Sequence, residues 1–137
     1  MTHKIIFQGE HCEITQIGPH ALKLKFTGFL KVSDLAAVTA FMDTYSKNNL
    51  CDMLLLDHSA LKVLSKEVQE YLAKTVAIIE SKGIKRIAVI EAEDVFAKAG
   101  FDKIQKEAHV DRITHVAFHS EKAAQEWLLS PAINEAL

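Results

Sequence analysis

The chain has 137 residues, 49% of them hydrophobic and 25% charged, with a formal net charge of −2. That suffices for one hydrophobic core and is short for two, so a single domain over 1–137 is expected, with a tail from 130. Interspersed charge of both signs excludes a global field for nucleic acid or acidic lipid, and no apolar run approaches the ~20 residues of a membrane span.

The opening segment, Met1 to Glu10, has too short an apolar stretch for a signal peptide, so a cytoplasmic location is expected. Cys12 and Cys51 form no Cys-x-x-Cys pair and read as buried free thiols. Ile5 to Phe7 suggests a short first strand, and Cys12 and Ile14 alternate with Glu13 and Thr15 as a second. After the turn Gly18-Pro19, Leu22, Leu24 and Phe26 alternate with Lys23 and Lys25, the period-two pattern of a sheet with one wet face. This half is expected to be antiparallel.

From Ser33 the apolar residues Leu35, Val38, Phe41, Met42 and Tyr45 recur at helical steps. The spacing predicts a helix over 34–47, with Ser33 as N-cap and Asn48-Asn49 at its exit. Short apolar runs then alternate with helical stretches: strand 52–57, helix 66–82, strand 86–91, helix 94–107, strand 114–119 and helix 121–129. That alternation is the signature of crossover-connected parallel strands, so the fold class is α/β. Ser65 and Ser120 stand where N-caps are needed, Gly83 after Lys82 suits a helix stop, and Pro131 ends the last helix.

Particular residues resemble a known group. Leu54-Leu55-Leu56-Asp57-His58-Ser59-Ala60-Leu61, the helix beginning near Ser65, the strand Arg86 to Ile90, and the closing run Phe118-His119-Ser120-Glu121-Lys122-Ala123-Ala124-Gln125-Glu126-Trp127-Leu128 resemble the STAS-like domains. These are relatives of bacterial anti-sigma-factor antagonists, and the closing Ser-Glu-x-Ala-x-x-Trp-Leu is similar to their small stand-alone branch. The resemblance covers residues 10 to 129. It implies antiparallel amino-terminal strands leading into a mainly parallel sheet, and a regulatory role through a protein partner. It also implies a phosphoacceptor serine at the helix after the Asp57 strand. Glu67 falls at that position here, and a carboxylate carries charge but cannot be switched. Ser59 and Ser65 are the remaining candidate phosphoacceptors.

Open α/β sheets bind ligands at the carboxyl ends of their parallel strands. Three such ends, Asp57-His58-Ser59, Glu91-Ala92-Glu93-Asp94 and His119-Ser120-Glu121, are expected to gather an acidic, histidine-bearing rim with Asp57, Glu91 and His119 on one edge. The same residue types also suit ordinary helix starts, which is the more economical explanation of their presence. Asp57, His58 and Ser59 do not make a hydrolase triad, because consecutive strand side chains point to opposite faces. His115 and His119 on a strand stand about 13 Å apart, too far to share one metal ion. With five scattered glycines there is no phosphate-binding loop, and no cofactor is expected. Lys82, Lys85 and Arg86 read as a solvated turn.

The helix over 66–82 carries Val68, Leu72, Val76 and Ile79 on one face, with Tyr71 and Ile78 on its flank, wide enough for a partner or homodimer contact. The expected function is therefore a non-enzymatic interaction module using Asp57, His58, Ser59, Ser65, Glu67, Tyr71, Glu91 and His119, without a catalytic or metal site. Binding of a small apolar, lipid-like ligand between sheet and helices, reached from the same rim, is the alternative. A metal-dependent enzyme using Asp57, Glu91 and a histidine is a third.

Overall fold

In a computed structural model, which describes residues 3–81, 83–108 and 114–130, the alternating patterns become six strands in one sheet. The side chains of residues 76, 77, 79–81 and 105–108 lie outside that description, as do Lys82, His109 and Pro131. The expected roles of Val76 and Ile79 on the helix stripe, of Lys82 in the basic cluster and of Pro131 as a helix stop therefore fall outside the described residues.

The elements run β1 (Lys4–Gln8), β2 (Cys12–Gly18), β3 (Ala21–Gly28), α1 (Val32–Ser46), β4 (Met53–Leu61), α2 (Lys66–Ser81), β5 (Arg86–Ile90), α3 (Val95–Ala108), β6 (Thr114–Phe118) and α4 (Glu121–Leu129). Strand order follows chain order, with β1, β2 and β3 antiparallel and β3 to β6 parallel. The antiparallel start and parallel continuation match the sequence expectation. Sequential parallel strands joined by right-handed crossovers place their connecting helices on one face. Thus α1, α2 and α3 share a face and α4 takes the other.

Two hydrophobic layers result. Leu22, Leu24, Leu54, Ile87 and Val89 face α1 to α3, whereas Leu55, Ala88 and Ile90 face Ala124 and Leu128 of α4. On β3 the second face turns polar at Lys23, which ion-pairs with Glu121 at the start of α4.

Local signals account for most element ends. Ser65 Oγ accepts from Val68 N–H at 3.2 Å and Ser120 Oγ from Ala123 N–H at 3.2 Å, so both hydroxyls are N-caps as expected. Asp94 does the same for α3 through Phe96 and Ala97 N–H. Gly83 takes φ +84°, the left-handed conformation that suits a residue following a helix. Ser33 is not the cap of α1. That helix starts earlier, at Val32, and the carboxylate of Asp34 in its first turn accepts from Lys31 N–H at 2.8 Å.

Of the basic cluster, Lys85 is exposed as expected, but Arg86 is buried, with its guanidinium donating to the Trp127 and Ser130 carbonyls at 3.4 and 3.3 Å and lying over the Trp127 ring. It therefore satisfies carbonyls left open at the end of α4.

Candidate functional site

The site is organised around β4. This strand does not stop at Asp57, as the sequence suggested, but continues to Leu61. Its pairing with β3 runs through Lys25 and Asp57 and resumes with Thr27 opposite Ala60, so His58 and Ser59 share the space opposite Phe26. Such a bulge bends a strand and re-aims its side chains. Asp57 Oδ1 holds it, accepting from Ser59 N–H at 3.0 Å and from the Ser59 hydroxyl at 2.7 Å. The Asp-His-Ser run is thus a structural staple around an irregularity in the strand.

Asp57 and His58 are both buried and point to opposite faces. Asp57 stands on the α4 side, so the expected three-member rim of Asp57, Glu91 and His119 does not assemble. Glu91 and His119 do meet: Glu91 lies 3.7 Å from His119 Nδ1 and 3.3 Å from Lys98 Nζ. Ser59 is half-buried with its hydroxyl engaged by Asp57, while Ser65 and Glu67 are exposed at the start of α2. Among the described residues Asp57 and Glu91 belong to no shared cluster of metal-ligating atoms.

His58 faces the helices, where the sheet and helices border two half-open chambers. The larger, about 680 Å³, lies between β3, β4 and helices α1 and α2; its walls include Leu24, Phe26, Val38, Met42, Leu54 and Tyr71. The smaller, about 280 Å³, lies between β5, β6 and α3, with Ile87, Val89, Ile104 and His115 in its lining and Glu91 and Lys98 at its polar end. Leu56, His58, Leu72, Thr75 and Phe101 line both. The volume of the larger suits a drug-sized organic molecule.

The larger chamber opens on the edge opposite to the expected one. Exposed Lys47, Asn48, Asn49 and Leu50, which precede β4, border it, together with Ile84 before β5. These positions lie at the amino ends of the parallel strands. Leu50 is 64% exposed and Ile78 44%, so apolar side chains stand at the mouth beside the polar Lys47, Asn48 and Asn49. Tyr71, on the flank of α2, lines the larger chamber, its hydroxyl donating to Thr39 Oγ1 at 3.4 Å.

The electrostatics of the interior are set by burial. His58 stacks on Phe101 with ring centroids 3.8 Å apart at 12°, and Phe26 stands 6.0 Å away. Desolvation drives its imidazole down from 6.5 to about 4, against an upward pull from Asp57, so it is neutral at pH 7. No hydrogen bond joins it to another described residue. Both cysteines are buried and free, Cys51 in the wall of the larger chamber, and burial pushes their thiols up to about 12 for Cys12 and about 11 for Cys51. Neither is an activated nucleophile.

Sequence reasoning missed one further cluster. Glu10, His11 and Asp34 bring potential metal-ligating atoms within 4.8 Å of one another, with His11 Nδ1 2.9 Å from Asp34 Oδ2. Asp34 is already engaged as the cap of α1, and Lys31 Nζ lies 3.7 Å from Glu10, which supplies the counter-charge a metal would otherwise bring. At the carboxyl edge Phe29, Val63, Val95 and Phe96 are exposed, another feature absent from the sequence reading. No described helix is long and apolar enough to cross a membrane.

No family model and no curated protein matches the chain. Among solved structures, it is similar to an uncharacterised protein of the DUF3478 family with a SpoIIAA-like fold from Shewanella loihica PV-4. The TM-score is 0.60 at 16% identity, over 93% of this chain and 96% of that one. The architecture is therefore SpoIIAA-like, the STAS-like fold that the sequence resemblance implied.

Proposed function

We infer that this protein binds a small apolar ligand between its sheet and its helices. The observation that carries the reading is the 680 Å³ chamber, lined by Leu24, Phe26, Val38 and Leu54 and bordered by exposed Leu50 and Ile78. Interiors normally close to crystal-like density, because an unfilled space forfeits dispersion contacts on every wall. Organic ligands restore those contacts and remove their own apolar surface from water, at about 25 cal/mol per Å².

The test is titration with the neutral dye Nile red. Saturable fluorescence enhancement is expected for the wild type. Val38→Trp, which projects an indole from α1 into the chamber, is expected to weaken it at least tenfold without lowering the melting temperature. Absence of saturable binding, or equal binding by the filled variant, would remove the reading.

A second reading, a regulatory module acting through a protein partner, is supported by the carboxyl edge. Phe29, Val63, Val95 and Phe96 are 63%, 47%, 76% and 71% exposed, and exposed Glu67 and His119 belong to the same edge. Apolar side chains of this kind bury well in an interface core while charges at its rim orient the partner. Specific partners recovered from native lysate should be lost with Phe96→Asp and weakened by Glu67→Lys. Unchanged recovery with both variants would count against this surface, and sedimentation would reveal a second copy as the occupant. Phosphate mapping on Ser59 and Ser65 would test the switch. A phosphate on Ser59 would have to displace the Asp57 hydrogen bond and sit beside that carboxylate, so Ser65 is the sterically open acceptor.

A further inference from the structure

We propose that the ligand carries an uncharged oxygen, such as a hydroxyl, that hydrogen-bonds to His58 where the two chambers join. This rests on the ligand-binding reading and adds the chemical class of the ligand. His58 is the polar side chain common to both chambers that lacks a hydrogen bond to any described residue, whereas Thr75, which also lines both, already donates to the Leu72 carbonyl at 2.8 Å. A ring nitrogen that faces the chambers without a protein partner offers a hydrogen-bonding site that a ligand group can fill.

The charge of that group follows from its surroundings. Phe26 and Phe101 flank the imidazole, Asp57 lies behind it on β4, and burial keeps the ring neutral. Across the smaller chamber, Lys98 is already paired with Glu91, and Asp102 and His115 are the other ionisable residues described in its lining. Lys47, at the mouth of the larger chamber, is exposed to water. Among the described residues no unpaired cation stands next to His58, so burial makes this an expensive place for an ionised carboxylate. A hydroxyl both donates and accepts, so it matches a neutral imidazole in either tautomer. The apolar body would then extend into the 680 Å³ chamber toward Leu50 and Ile78, with the polar atom at the inner end.

The experiment uses displacement of Nile red by decanol, decane and decanoate at pH 8 from the full chain and from His58→Leu and His58→Gln. Decanol is expected to lose roughly three- to tenfold in affinity in His58→Leu, the range of one neutral hydrogen bond, with decane unaffected. His58→Gln, which keeps a donor and an acceptor, should recover part of the loss. Decanol should also shift the ring nitrogen resonances of His58 in the wild type, which a merely structural histidine would not show. Equal losses for decanol and decane, or decanoate binding tighter than decanol in a His58-dependent way, would overturn the proposal. If Nile red and decane bind while decanol is indifferent to His58, this inference alone falls. If neither the dye nor decane binds, the ligand-binding reading falls with it.

Discussion

Lowering the pH from 7 to 4 is expected to remove about 3 kcal/mol of folding stability through His58 alone. The imidazole titrates at 6.5 when unfolded and at about 4 in the folded chain, because burial penalises its charged form. Above 6.5 both states hold it neutral and its contribution is fully present. As the pH falls from 6.5 towards 4 the unfolded chain takes up a proton that the folded chain refuses, at about 1.4 kcal/mol per pH unit. Asp57 opposes the depression, while Glu91, Lys98, Asp102 and His115 line the adjoining chamber. His115 is itself lowered by burial and loses stability in the same direction. His58→Phe isolates the term: urea unfolding at pH 7 and pH 4.5 should show a shallower decline for the variant. Parallel declines in the two proteins would mean that His58 is not buried neutral, and the chamber geometry around Phe101 would need revision.

Leu55→Ala is expected to cost about 4 kcal/mol and Leu54→Ala only about 2 kcal/mol, although the two are adjacent and both are buried. Leu55 packs on Ala88, Ala124 and Leu128 in the tight layer under α4, where truncation leaves a new cavity with no room to collapse. Leu54, although buried, borders the 680 Å³ chamber, so its truncation enlarges a space that already exists instead of opening a new one. Denaturant unfolding of both variants measures the difference. Equal costs would mean that the helical face is as closely packed as the α4 face, leaving no space for a ligand. A saturating apolar ligand should widen the Leu54→Ala deficit and leave that of Leu55→Ala alone, because only the former touches it.

The unequal packing of the two faces was not legible in the sequence. Leu54 and Leu55 are the same residue type in one apolar run, and how far α1 and α2 stand from the sheet depends on side chains distant along the chain. The carboxyl-edge prediction failed in part for a related reason. It placed Asp57 at a strand end, but the bulge at His58 and Ser59 carries β4 on to Leu61, and strand alternation then sends Asp57 and His58 to opposite faces. A local motif that looked like chemistry is the hydrogen-bonded brace of that bulge. Glu91 and His119, which do lie at strand ends, were brought together as anticipated.

The amino-acid sequence by itself determined the order of strands and helices, the change from antiparallel to parallel pairing, and the caps at Ser65 and Ser120. Those features follow from periodicity and from backbone groups satisfied within a few residues. The tertiary structure alone decided which face each β4 side chain meets, that Arg86 closes the end of α4, and that a chamber opens at the amino edge with neutral His58 at its inner end. These depend on register after a bulge and on volume left between elements, both sums over neighbours that are distant along the chain.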